Sequence, residues 1–377
     1  MCVGIFDLTL RLSNNLSTSL LKSLPESGGS NGQVKSSQPQ QHSIFRRSTP
    51  LRHLLTMAAA FTARTTAEEV AKHFAAQIHS KHVLITGVTL GTLGAEVALQ
   101  IAKQSPSSLI LAGRNPANLT ATQKTIGDAA PTCPPKLLDL DLASQAQVHR
   151  AVVEVLAYPH PIDRLINNAA LMAVPWSTTP EGLESQWGTN HIGHFLFTNL
   201  LIPKILSSPD HGRVINVSSS GHKRSNIRWD DWNFQNGATY DKWAAYGQTK
   251  TANMLFSVSL AQKLGPKGLL SYSLYPGRVP TNIANSIPMK EKQAAGWFDA
   301  DGKLKLDDAS VGWKTVEEGS ATTVAAAFDP DIKGSNGSYL VHCNIAPEEA
   351  AEYALDEGAA ERLWKLSEEI VGEKFEY

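Results

Sequence analysis

The chain has 377 residues and a formal net charge of -1, which gives no electrostatic case for binding nucleic acid or acidic partners. Its 42% apolar content suffices for the core of one large α/β domain or two smaller ones. Three widely spaced thiols, Cys2, Cys133 and Cys343, make neither a disulfide framework nor a zinc site, and no apolar run approaches the ~20 residues that span a bilayer. A reducing compartment is the default, and the expected location is cytoplasmic.

Residues 1–65 read as a disordered or targeting extension, with Ser, Asn, Gln and Gly dominating Ser23 to Ser48. Up to Met57 the basic residues Arg11, Lys22, Lys35, Arg46, Arg47 and Arg52 outnumber Asp7 and Glu26, a balance that suits a mitochondrial leader as the alternative location. From Thr66 the pattern becomes regular. Helices are expected over 67–79, 95–103, 118–128, 145–156, 183–206 and 242–264. Strands are expected over 82–86, 108–112, 136–140, 163–167, 213–218 and 269–274. The strands are short Val/Ile/Leu runs, as in sheets covered on both faces. Their alternation with helices predicts an α/β fold with a doubly wound parallel sheet. The C-terminal part adds a helix over 317–327, a last strand over 337–342, and an amphipathic helix over 359–371, expected to dock on the domain or on a second copy. Residues 282–313 lack a clean period and read as a lid over a ligand. The folded domain spans 66–345, with a helical tail over 346–377.

The first strand runs into Thr86-Gly87-Val88-Thr89-Leu90-Gly91-Thr92-Leu93-Gly94, and a helix follows. Glycines let a backbone turn sharply beside a pyrophosphate, and a helix N-terminus offers free N–H groups to it. The second strand ends at Arg114, where an acid would bind the ribose of NAD. An arginine there suits the 2′-phosphate of NADP instead. Tyr246 and Lys250, four apart on an expected helix, share one face. An ammonium beside a phenol eases its deprotonation from a usual pKa of about 10, which marks Tyr246 as a candidate general acid/base.

Several runs occur in a family's order: the Gly turn, Asp141-Leu142, Asn167-Asn168-Ala169-Ala170, Asn190, Asn216-Val217-Ser218-Ser219, Tyr246 to Lys250, and Tyr275-Pro276-Gly277. With them, residues 66 to 345 resemble a short-chain dehydrogenase/reductase of Rossmann type. The run Gln186 to Phe195 is similar to the retinol-dehydrogenase-like branch, and Leu363 to Gly372 to its fungal members. The resemblance implies that Asp141 and Leu142 flank the adenine, and that Asn168 and Ala169 line the cofactor cleft. It implies that Pro276, Gly277, Val279 and Thr281 hold the nicotinamide end, and that Asn190, Ser219, Tyr246 and Lys250 form a catalytic tetrad. The Gly turn has one residue more than the family's pattern, which leaves open which of Gly87, Gly91 and Gly94 approaches the phosphates. Ala170 replaces the glycine that usually ends its motif.

In this reading Tyr246 protonates a carbonyl oxygen as hydride reaches its carbon. Ser219 donates to the same oxygen, Lys250 stabilises the tyrosinate, and the Asn190 amide holds a proton-carrying water. The expected function is NADP-dependent interconversion of a carbonyl and an alcohol. NAD is the less favoured cofactor. The lid's Met289, Trp297 and Phe298 point to a hydrophobic substrate, while its charges, Lys290, Glu291, Lys292, Asp299 and Asp301, point the other way. An epimerase or dehydratase of the extended type would instead turn over sugar nucleotides without net cofactor consumption. A non-enzymatic NADP-binding redox sensor would not need Ser219, Tyr246 and Lys250 together. His191 and His194 are spaced for a metal but lack a third ligand, so no metal is expected. Trp229, Trp232 and Trp243 are expected to pack around the Tyr246 helix.

Overall fold

In a computed structural model, described over residues 61–305 and 312–377, the apolar runs pair into one eight-stranded sheet. The strands are β1 (His82–Thr86), β2 (Ser108–Gly113), β3 (Lys136–Asp139), β4 (Arg164–Asn167), β5 (Arg213–Val217), β6 (Leu270–Tyr275), β7 (Tyr339–Val341) and β8 (Asn344–Ile345). Their spatial order is β3-β2-β1-β4-β5-β6-β7-β8, with β1 to β7 parallel and β8 antiparallel to β7. The reversal of order between β1 and β4 is a topological switch point, where open α/β sheets seat ligands beyond their strands' carboxyl ends.

Successive strand side chains point to opposite faces, so Leu84, Leu165 and Val214 feed one core while Val83, Ile85, Ile166 and Ile215 feed the other. The first core takes the helices Gln145–Leu156, Gly193–Leu206, Lys242–Leu264 and Glu357–Val371. The second takes Ala67–His73, Leu93–Ala102, Pro116–Ala129 and Val316–Phe328.

Three elements differ from the sequence expectation. The helix expected over 67–79 breaks at Phe74 into Ala67–His73 and Ala75–Ile78. The helix expected over 183–206 is a short turn, Ser185–Trp187, then a π-helical turn, Gly188–Ile192, then Gly193–Leu206. Strand β8 was not expected. It returns through His342 and Cys343, both at positive φ, without the Asn-Gly signal that usually marks such a tight hairpin.

Residues 1–60 lie outside the described residues, and with them most of the expected extension. Within its last part, the Phe61 ring packs edge-on against His73 and Phe74, and Arg64 pairs with Glu318 at 3.1 Å. Helix Glu357–Val371 buries Leu363 and Trp364 against the domain's own core. Among the described residues no helix is long and apolar enough to cross a membrane.

Candidate active site

Beyond the carboxyl ends of the strands lies a cavity of about 990 Å³. It runs from Arg114 and Asp141, past Gly87 and Asn168, to Ser219, Tyr246 and Lys250, and is covered by the segment after Pro276. Three strand spacings of about 4.8 Å separate β2 from β5. The two ends are therefore about 14 Å apart, a span suited to a dinucleotide rather than a mononucleotide.

The Gly turn is packed too closely for side chains at two of its glycines. A Cβ on Gly87 (φ +75°) would lie 2.6 Å from Ala169 Cα, and one on Gly94 would lie 2.5 Å from the Gly87 carbonyl oxygen. Gly91 also has φ +75° but faces open space. Only Gly87 of the three lines the cavity. Gly94 works underneath it, by letting the helix Leu93–Ala102 approach the turn. Thr92 caps that helix's entrance with extended backbone, and its hydroxyl donates to the Thr89 carbonyl at 2.6 Å.

The turn is tied to β4 through Thr86. Its hydroxyl accepts the N–H groups of Asn168 and Ala169, both at 3.0 Å, and meets His194 Nε2 at 2.9 Å. The other nitrogen of His194 lies 3.0 Å from the Asn190 carbonyl, which can only accept. Nδ1 therefore carries the proton, and Nε2 accepts from Thr86. Burial holds His194 down at about 4 and keeps it neutral. The Asn168 amide donates to the Thr86 and Gly87 carbonyls at 2.9 and 3.0 Å, so it braces the turn. Thr86 and His194 are thus site residues that sequence reasoning did not assign.

Asn190 is fully buried in the π-helical turn, a feature that often marks functional sites. Its amide accepts from Leu171 N at 2.8 Å and donates to the Leu171 carbonyl at 2.9 Å and to Thr249 Oγ1 at 3.1 Å. Both N–H groups of the amide that was expected to hold a water are therefore taken by protein acceptors, and Asn190 does not line the cavity. It clasps the segment after β4 to the helix that carries Tyr246 and Lys250.

That helix, Lys242–Leu264, is capped by Asp241 at 2.6 Å. Tyr246 is 6% exposed, and its ring is packed so tightly on Gly221 that a Cβ there would lie 2.8 Å from Cε1. Ser219 Oγ accepts from Gly221 N at 3.0 Å. Fully buried His222 lies 2.6 Å from the Ser219 carbonyl through Nδ1 and accepts from Ala351 N at 3.1 Å, which fixes the serine's backbone. Lys250 Nζ donates to the Val217 carbonyl at 2.9 Å and stands 5.6 Å from the Tyr246 ring centre.

Burial dominates the electrostatics of this pair. It pushes Tyr246 up to about 12, against the opposing hydrogen bond with Ser219, and it pushes Lys250 down to about 7. Burial disfavours the charged form of each group, which leaves both neutral forms favoured in place of the lowered phenol expected from sequence.

Gly277 (φ +96°) turns the chain after β6 and lets Lys314 pass where a Cβ would meet its Cδ at 2.5 Å. Pro276, Val279 and Thr281 line the cavity from this side, and Leu142 lines it opposite. The expected lid contains a helix, Met289–Ala294, and residues 306–311 of it lie outside the described residues. It is anchored by Lys242–Glu291 at 2.6 Å and by Ser286 Oγ to the Met172 carbonyl at 3.0 Å. Trp243 lines the cavity and packs edge-on with Trp297, which meets Trp313 the same way. It is thus a wall of the site, while Trp229 and Trp232 pack on the core as expected. His191 contacts Ser367 at 2.8 Å.

The short chain dehydrogenase family model matches residues 81–232. A chloroplastic short-chain dehydrogenase, TIC 32 B of Brassica napus, is 34% identical over 318 residues, covering 81% of this chain and 93% of that protein. Human retinol dehydrogenase 14 is 33% identical over 314 residues, 78% of this chain and 87% of its own. The short-chain dehydrogenase/reductase prx1 of Penicillium rubens is 35% identical over 245 residues, 62% and 69% of the two chains. The chain belongs to the short-chain dehydrogenase/reductase family of oxidoreductases. A crystal structure of an uncharacterized Mycobacterium paratuberculosis protein matches with TM-score 0.60 and 29% identity, over 80% of this chain and 96% of that one. At 19% identity, the fold also matches NADPH-bound carbonyl reductase from chicken fatty liver (TM-score 0.51, 70% and 96% covered) and NAD+-bound xylitol dehydrogenase (TM-score 0.55, 70% and 97% covered).

Proposed function

We propose that this protein is an NADP(H)-dependent oxidoreductase that interconverts a carbonyl and an alcohol, with Tyr246 as general acid/base. The observation that carries the reading is convergence: Ser219, Tyr246 and Lys250 line the same cavity as the Gly87 turn and Arg114. Gly87, Arg114, Asp141, Ala169 and the stretch Pro276 to Thr281 would hold the cofactor. When bound, NADP(H) supplies the hydride chemistry. Carbonyl reductase from chicken fatty liver binds NADPH and xylitol dehydrogenase NAD+, so likeness of fold does not choose between the two. Exposed Arg114, at the end of β2 where no acid stands, favours NADP(H).

In the reducing direction the Tyr246 O–H bond breaks, and its proton goes to the substrate oxygen as that oxygen gains negative charge. At neutral pH a phenol at about 12 starts protonated, as a donor must. The phenolate left behind then favours the charged form of Lys250, which at about 7 is poised to take up a proton. The mutual stabilisation of the pair therefore appears as the proton leaves Tyr246. Ser219 positions the substrate oxygen by donating to it. Asn190 and His194 act on positioning alone, by holding the helix and the Gly turn. The expected location is cytoplasmic, with mitochondrial import through the basic residues up to Met57 as the alternative, and the mass of the mature N-terminus decides between them.

A panel of ketones and aldehydes, followed by loss of NADPH and NADH absorbance, tests the activity. We expect turnover with a preference for NADPH. Tight NADPH binding with no turnover of any carbonyl compound would contradict it.

A further inference from the structure

At the substrate end the cavity wall combines two chemistries. Trp243, Trp297 and Trp313 form a run of edge-on rings, 6.3 Å and 6.0 Å between centres, and Phe298 also lines the cavity. Cations stand over these rings. The Arg224 guanidinium is 4.8 Å from the Trp243 ring centre, and Lys292 Nζ is 5.8 Å from that of Phe298. Both cations line the cavity, and neither has an ion-pair partner among the described residues. A cation over a ring keeps its charge and its donors.

Among the described residues, no carboxylate lines this end of the cavity. Among the described residues, the only one lining the cavity is Asp141, after the edge strand β3. Four strand spacings of about 4.8 Å put it about 19 Å from the end of β5, where Ser219 stands. Of the described lid acids, Glu291 pairs with Lys242, and Asp299 accepts from the Lys303 N–H at 2.7 Å; Asp307 and Asp308 lie outside the described residues. A neutral apolar substrate would need the rings but not the two cations. A charged aliphatic substrate would need the cations but not the rings.

Resting on the oxidoreductase reading above, we infer that the substrate is an aromatic carbonyl compound, or its alcohol, that carries a carboxylate away from the reacting carbon. The rings take its aromatic body, Arg224 and Lys292 take the carboxylate, and Ser219 and Tyr246 take the carbonyl oxygen. The bonds made and broken are those of the parent reaction. Bound NADPH would supply the hydride for the carbonyl carbon and leave as NADP+, Tyr246 would give its proton to the oxygen, and the carboxylate would be unchanged.

The test compares 4-formylbenzoate with its methyl ester, using the full chain and saturating NADPH. Their ratio of kcat/KM is expected to favour the carboxylate about tenfold, to fall with added salt, and to drop to about one in the double variant Arg224→Gln, Lys292→Gln. A ratio of one or less in the unaltered protein, or a ratio unmoved by the double variant, overturns the inference. If neither aldehyde is reduced while NADPH binds, the proposed activity fails for this substrate class and binding decides the inference separately. Quenching of tryptophan fluorescence by the carboxylate at concentrations about tenfold below those of the ester then supports it. Equal quenching, or none, overturns it.

Discussion

Tyr246 and Lys250 sit one helical turn apart in a buried place, and each is held there in its neutral form's favour. Lys250 ionises near 10.5 in an unfolded chain and at about 7 when folded. Between those values the unfolded chain binds one more proton, so this group makes stability rise with pH from 7 toward 10.5. Tyr246 acts in the opposite sense above pH 10, where the unfolded phenol ionises first. Lys250→Met removes the first effect. Relative to the unaltered protein, the variant should lose about 3 kcal/mol between pH 7 and pH 9.5, from about 1.4 kcal/mol per unit. Urea unfolding at the two pH values measures this, and a difference that stays constant would contradict it. Arg114→Ala should cut kcat/KM with NADPH by about 10- to 100-fold and leave NADH nearly as before, the loss expected of a charge-assisted phosphate contact worth about 1.5–3 kcal/mol. An equal loss with both cofactors would remove Arg114 from the 2′-phosphate. Gly87, Asp141, Asn168, Ser219, Tyr246 and Lys250, which line the cavity, were legible because their order along the chain carries the family pattern, whereas the parts played by Thr86 and Trp243 were not. What Asn190 does was not, because nothing local to residue 190 shows that Leu171 and Thr249 will take its amide.

Elements meet here at close approaches that a periodic pattern does not reveal. The helix Gly193–Leu206 begins after the π-helical turn with Gly193, where a Cβ would lie 2.2 Å from the Leu142 carbonyl oxygen. Gly193→Ala should therefore move the Asp141-Leu142 wall, costing about 1–3 kcal/mol and weakening NADPH binding. Gly127→Ala is the contrast: it lies within the helix Pro116–Ala129 with nothing within 4 Å of its Cβ, and should gain up to about 1 kcal/mol from helix propensity. Unfolding and NADPH titration of both variants check the pair, and similar behaviour of the two would contradict the close-approach argument. The buried arginines were equally illegible. Arg164 and Arg213, opposite each other on β4 and β5, donate to the Ala327 and Ala326 carbonyls at 2.6 and 3.1 Å, at the C-terminal end of Val316–Phe328. Cations suit a helix C-terminus, but that helix comes more than a hundred residues later in the chain.

For the molecule as a whole, the strict alternation of strands and helices was enough to read the parallel, doubly wound sheet, because right-handed crossovers leave few other arrangements. The two-residue β8 and the cover over the site were not readable, since neither has a period. NADP(H) bound across the switch point should stabilise the entire sheet: at 100 times Kd it adds about 2.7 kcal/mol to unfolding, and a melting temperature unmoved by NADPH would contradict binding to the folded state. The measurement that bears most directly on the proposed reaction is turnover by Tyr246→Phe with NADPH and a carbonyl substrate that the unaltered protein reduces. The rate should fall by about 10²–10⁴, the usual worth of a positioned acid/base, while NADPH binding stays within about twofold. A variant that keeps its rate, with NADPH bound as before, would show that the proton comes from elsewhere.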